Sequence, residues 1–79
     1  MERTHKLKTE SLYFLAVISG VKKFEIRKND RDFKIYDTII LEETESGIKT
    51  GCKSKPLVIK YIFQGGKFGL SDEYCIINW

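Results

Sequence analysis

The sequence predicts a small α+β domain in which five to six short strands curve into a sheet or barrel and one main helix plugs one side. Three observations predict it. The chain has 79 residues and reads as one domain, residues 1–79; a chain of this size buries only about 60% of its unfolded surface, so its core is small. Strand-like segments follow one another at short spacing, with turn residues between them. A single early stretch carries a helical pattern, so the alternation of a doubly wound parallel sheet is missing.

The elements follow in order. Residues 4–8 read as a strand with His5 and Leu7 on one face and Lys6 and Lys8 on the other. Thr9 reads as a helix N-cap, with Glu10 in the first turn where the helix dipole favours a negative charge. Residues 11–19 form the helix. Leu12, Leu15, Ala16 and Ser19 share a face by spacing, flanked by Tyr13 and Val17. Gly20 stops it, since glycine accepts the left-handed conformation that ends many helices. Residues 23–28 alternate as a strand, which predicts Phe24 and Ile26 in the core and Lys23, Glu25 and Arg27 on the other side. Asn29-Asp30-Arg31-Asp32 is a turn whose aspartates can cap local amides. Phe33, Ile35 and Tyr36 lead to a bend at Tyr36-Asp37. Residues 38–43 form the next strand, Ser46-Gly47 a hairpin turn, and residues 48–53 a strand broken at Gly51. After Pro56, residues 57–63 are the strongest strand, rich in β-branched and aromatic side chains. A glycine-rich loop over residues 64–69 precedes a last strand over residues 73–79.

Composition removes several classes. Hydrophobic residues make up 42% of the chain, more than a disordered segment carries. No run approaches the roughly 20 apolar residues that span a bilayer. The opening Met1-Glu2-Arg3-Thr4-His5-Lys6 leads into no signal-peptide core. The expectation is a cytoplasmic protein with no membrane partner. Cys52 and Cys75 are far apart in the chain and are expected to be reduced, buried thiols. With one histidine and no C-x-x-C pair, neither a metal site nor a cofactor is expected.

The net charge is +3, and its distribution is informative. Through Lys34 there are nine Lys and Arg against five Asp and Glu; from Ile35 onward there are five against six. The basic half suits a polyanionic partner, although a solvated surface has the same composition.

That half also holds Gly20-Val21-Lys22-Lys23-Phe24-Glu25-Ile26-Arg27. Lys22 leaves the end of the helix, and Glu25 and Arg27 leave one face of the next strand about 7 Å apart by strand rise. Glu25 can orient the two cations. Arg27 can hold a phosphate with two parallel bonds, and Lys22 supplies a point charge. Lys6, Lys8, Lys28 and Arg31 can flank this group, with Lys34 beyond them. Tyr13, Phe33 and Tyr36 are stacking candidates for bases, although each also suits a core. A surface ion-pair network remains the structural alternative.

The pattern Gly-x-Lys-x-x-Glu-x-Arg resembles the signature of ASCH domains, a branch of the PUA-like superfamily. The longer run from Phe24 to Phe33, followed by Asp37 at the entry to an apolar strand, resembles a compact ASCH-like family of uncharacterised bacterial and phage proteins. In that family Gly typically precedes the Asp; here Tyr36 stands there. The resemblance covers about residues 5–79. It implies a PUA-like pseudo-barrel with a cleft beside the helix, lined by Lys22, Glu25 and Arg27, that accepts RNA or a nucleotide-like anion.

Alternatives remain open. Some small ASCH proteins hydrolyse the amide of an acetylated cytidine with the motif lysine, a threonine three residues on and a distant glutamate. Lys22 matches the lysine, but Glu25 stands where the threonine would be, and Glu73 is the candidate for the distant glutamate. A carboxylate beside Lys22 also favours the ammonium over the free amine that a base requires. Binding is therefore expected over catalysis. A third reading is a phage or mobile-element regulator acting through protein contacts. Gly66-Lys67-Phe68-Gly69 matches a bare G-x-x-G, but between strands it reads as a hairpin or a lid over the cleft rather than a KH loop. His5 alone carries no Ser-His-Asp chemistry.

Overall fold

The computed structural model describes residues 3–79. Met1 and Glu2, which open the N-terminal stretch considered above, lie outside them. The elements are β1 (Thr4–Glu10), α1 (Ser11–Ile18), β2 (Phe24–Lys28), β3 (Thr38–Glu45), β4 (Ile48–Lys53), β5 (Leu57–Val58), β6 (Tyr61–Gln64) and β7 (Tyr74–Asn78). Among the described residues the fold is α+β, mostly strands with one helix.

The strands make two sheets that do not close into one barrel. In the first, β1 runs parallel along β3, with Thr4 opposite Thr38 and Glu10 opposite Thr44. β4 and β5 pair antiparallel with the two ends of β3. In the second, β2, β7 and β6 are antiparallel neighbours. The seventh strand arises because the predicted strand over residues 57–63 is two. The Ile59 amide donates to the Asp37 carbonyl (2.9 Å), beside the first sheet, while the Lys60 amide donates to Asn78 in the second (2.8 Å). The chain changes sheets between those residues, and Ile59, fully buried, sits at the crossing.

The core comprises Leu7, Phe14, Val17, Phe33, Ile39, Leu41, Leu57, Ile59, Cys75 and Ile77. Two expectations about which side faces it are corrected. The helix buries Phe14 and Val17, while Leu12 and Leu15 are exposed. Its sequence is apolar all round, so spacing carried no phase. In β2 the alternation is present but inverted: Glu25 is buried, and Phe24 and Ile26 are exposed. A third correction concerns Thr9. It caps nothing; it is a buried residue of β1, paired in register with Glu43, and the helix has no side-chain cap at Glu10. Cys52 is exposed rather than buried, and both thiols are free. Burial pushes the Cys75 thiol up.

Tyr36 has φ of 76°, the left-handed conformation that glycine adopts without strain. The bend is thus made with the same backbone geometry a glycine would allow, at a steric cost. It delivers Asp37 into the interior, 1% exposed. There Asp37 Oδ2 accepts from His5 Nε2 (2.8 Å), Arg3 Nη2 (3.1 Å) and the Lys34 amide (3.0 Å), while Oδ1 accepts from the Arg3 amide (3.3 Å). His5 also packs edge-on against Phe33, with ring centroids 4.8 Å apart. The only imidazole of the sequence therefore ties β1 to the β3 entry.

Candidate functional site

The site begins where the helix ends. Gly20, with φ of 84°, turns the chain back so that the amides of Val21 and Lys22 both donate to the Ala16 carbonyl (3.1 and 3.0 Å). Lys22 emerges at that turn and its side chain folds forward over β2. Its ammonium donates to Glu25 Oε2 (2.9 Å) and to the Phe24 carbonyl. It also lies 4.8 Å from the Phe24 ring centroid and 5.7 Å from that of Tyr13, within cation–π range. On the other side of the carboxylate, the Thr9 hydroxyl donates to Glu25 Oε1 (3.0 Å). The result is a Thr9–Glu25–Lys22 chain joining β1, β2 and the helix end. These bonds offset the desolvation of the two charges, which an unpaired carboxylate could not survive.

β1 ends the first sheet and β2 ends the second. Their facing edges are bridged by side chains. Arg27 Nη1 donates to the Lys8 carbonyl (2.9 Å) and Arg31 Nη1 to the Lys6 carbonyl (3.1 Å). Each guanidinium satisfies a backbone acceptor on the open edge of β1 and so blocks strand addition there.

Above the bridge lies a cleft of about 500 Å³, bounded by Lys8, Thr9, Glu10 and Tyr13 on one side and by Lys22 and Phe24 to Arg27 on the other. That volume lies within the roughly 300–1,000 Å³ of small-ligand sites. Its walls are mainly apolar. The inversion of β2 explains them: Phe24 and Ile26, expected in the core, line the cleft together with Tyr13. Three basic and two acidic side chains line the cleft, leaving one net positive charge.

The expected site residues thus divide. Lys8, Lys22, Glu25 and Arg27 share the cleft. Lys6 and Arg31 lie further along β1, where Arg31 meets the Lys6 carbonyl. Lys28 is outside the cleft and approaches Glu73 at 4.0 Å. Glu73 is exposed and does not line the cleft. Phe33 is core, and Tyr36 is exposed at the bend. The 66–69 loop also lies apart from the cleft lining. It closes as a tight hairpin, with the Gly66 amide donating to Leu70 (2.7 Å), and Phe68 stacks on Phe63. Gly65 there allows a close approach: a Cβ would fall 2.0 Å from the Ser71 carbonyl oxygen.

Residues 4–79 match the family described as Domain of unknown function DUF3850. The chain belongs to the DUF3850 family. A curated relative, the uncharacterized 12.9 kDa protein in the GpA 3′ region of Escherichia phage P2, is 42% identical over 53 residues. The alignment covers 67% of this chain and 49% of the relative, so the chain spans about half the relative's length. The similarity is thus to a phage protein.

In this DUF3850 domain, the residues that sequence reasoning missed are Thr9 and the apolar wall. Thr9 looked like a helix cap, and Phe24 and Ile26 looked like core. The available signal was the odd pairing of an acidic residue with flanking apolar ones in a strand beside a helix stop. A second polar cluster lies outside the cleft. Hydroxyls of Thr50 and Ser11 each donate to Glu43 (2.7 Å) and hold its carboxyl below the usual value against burial. Among the described residues, no group of three His, Cys, Asp or Glu side chains is arranged to hold a metal ion. No described helix is long and apolar enough to cross a membrane.

Proposed function

We propose that this domain binds RNA or a nucleotide-like anion in the cleft between β1 and β2. The observation that carries this reading is the placement of the Lys22–Glu25 pair at the floor of an aromatic-walled cleft whose rim holds Lys8 and Arg27. Aromatic walls supply stacking surface, and rim cations supply the salt-dependent attraction of a phosphate chain. The resemblance of Gly20 to Arg27 to the ASCH signature supports the same reading, with a PUA-like relationship as its fold counterpart. The test is binding of a short RNA across a salt series. Affinity is expected to fall steeply with salt and to be lost in Lys22→Ala/Arg27→Ala; unchanged binding in that variant would remove the reading.

One observation favours a second reading, amide hydrolysis at an acylated nucleoside through Lys22. The hydroxyl that the motif lacks at position 25 is supplied from β1 by Thr9, bonded to Glu25 within the same cleft. Release of acetate from acetylcytidine, abolished by both Thr9→Val and Lys22→Ala, is the expected signature. No turnover of acylated nucleosides by the native protein would dismiss it. The third reading, a regulator working through protein contacts, predicts that Lys22→Ala/Arg27→Ala leaves cellular function intact.

A further inference from the structure

We propose that the cleft takes an unpaired nucleobase, with the base's hydrogen-bonding edge on the Lys22–Glu25 pair and its phosphates running outward past Lys8 to Lys6. This rests on the nucleic-acid reading above and states which part of the ligand enters.

The floor is a poor phosphate seat. The Lys22 ammonium has three N–H groups, and it gives one to Glu25 Oε2 and one to the Phe24 carbonyl. A phosphate meeting the remaining N–H would also meet a carboxylate bonded 2.9 Å from the same nitrogen. Arg27 is likewise committed in part, to the Lys8 carbonyl. The cleft's single net positive charge is too little for a deep dianion.

The same floor suits a base. A carboxylate offers about four acceptor positions, and Thr9 and Lys22 occupy two of those on Glu25. Glu25 therefore keeps acceptor capacity and Lys22 one N–H, and both residues line the cleft. Every nucleobase carries a donor next to an acceptor on its Watson–Crick edge, and a duplex hides that edge. The lining also supplies stacking surface: Phe24 is 42% exposed and Tyr13 52%. Lys8 at the cleft and Lys6 beyond it are exposed on one face of β1, two residues apart as successive side chains of a strand face are. That spacing follows a phosphate chain leaving the cleft along the β1 edge.

The test is competition against a labelled single-stranded RNA at constant ionic strength. Free nucleosides are expected to displace it, whereas tripolyphosphate is not. The same sequence as a duplex is expected to bind at least about tenfold more weakly, in line with the loss of one stacked base. Phe24→Ala, at an exposed side chain, is expected to weaken single-strand binding about tenfold and to abolish nucleoside competition with the fold intact by circular dichroism. Glu25→Gln is expected to do the same. Displacement by tripolyphosphate but not by nucleosides would overturn the base-inward orientation and leave the nucleic-acid reading standing. So would equal binding of duplex and single strand. No binding of RNA or nucleoside at all would overturn both.

Discussion

Asp37 and Glu25 are both carboxylates removed from water, and they are used differently. Asp37 is enclosed and receives four donors, from His5, from the Arg3 side chain and from two backbone amides. Its acceptor positions are filled from within the protein, so it holds the N-terminal strand to the bend at Tyr36. Glu25 receives two donors and opens on a cleft. The difference teaches how to separate a structural ion pair from a site. A buried charge that is fully bonded stabilises the fold, whereas one with bonding capacity left and an apolar opening beside it is prepared for a partner.

Breaking the saturated centre is expected to have the largest effect. Asp37→Ala leaves His5 and the Arg3 side chain facing no carboxylate, and stability should fall by about 3–5 kcal/mol in urea denaturation. Glu25→Gln keeps the shape and loses only the charge, so its cost is expected near 1–2 kcal/mol, with single-strand RNA binding weakened about tenfold. If the two substitutions cost the same, the distinction between the centres fails. Phe24→Ala and Tyr13→Ala sharpen the comparison from the other side. Both side chains are exposed, so stability should change by no more than about 0.5 kcal/mol, while RNA affinity falls about tenfold. A large loss of stability in either would show that the wall belongs to the core.

The smallest effect is in acid. Burial raises the Asp37 carboxyl, but the bonds from His5, Lys34 and Arg3 and the Arg3 charge outweigh it and hold it below its ordinary 3.8. Its stabilisation is complete above that value and is lost as the pH falls through the lower folded value. Glu43, held below its ordinary 4.5 by Thr50 and Ser11, has the same sign. Stability should therefore decline below those values, and Asp37→Asn should flatten the decline. A slope unchanged in that variant would contradict the assignment.

Much of this was legible in the sequence, and the failures have physical causes. The contact of Lys22 with Glu25 followed from the helix stop at Gly20 and the strand after it. The β2 period was legible, but its phase was not. Alternation identifies two faces without saying which is buried, and the usual rule sends charges outward. Here Thr9, sixteen residues away, is the donor that helps Glu25 go inward, and such a partner is invisible to local pattern. Thr9 itself resembles a cap because threonine suits both a cap and a strand; pairing with Glu43 in the parallel register decides for the strand. The all-apolar helix offered no polar side by which to orient Phe14 and Val17. The break at Ile59 was hidden because one apolar run serves two sheets, and only the pairing partners reveal the crossing.

The central claim is that the Glu25 cleft, and not the Asp37 centre, meets the ligand. Titration of isotope-labelled protein with a short single-stranded RNA, followed by NMR, tests it most directly. The expected result is saturable shifts at Tyr13, Phe24 and Glu25 and along β1 at Lys6 and Lys8, with Asp37 and Phe33 unmoved. Shifts centred on Asp37 and the Tyr36 bend, with none in the cleft, would contradict it.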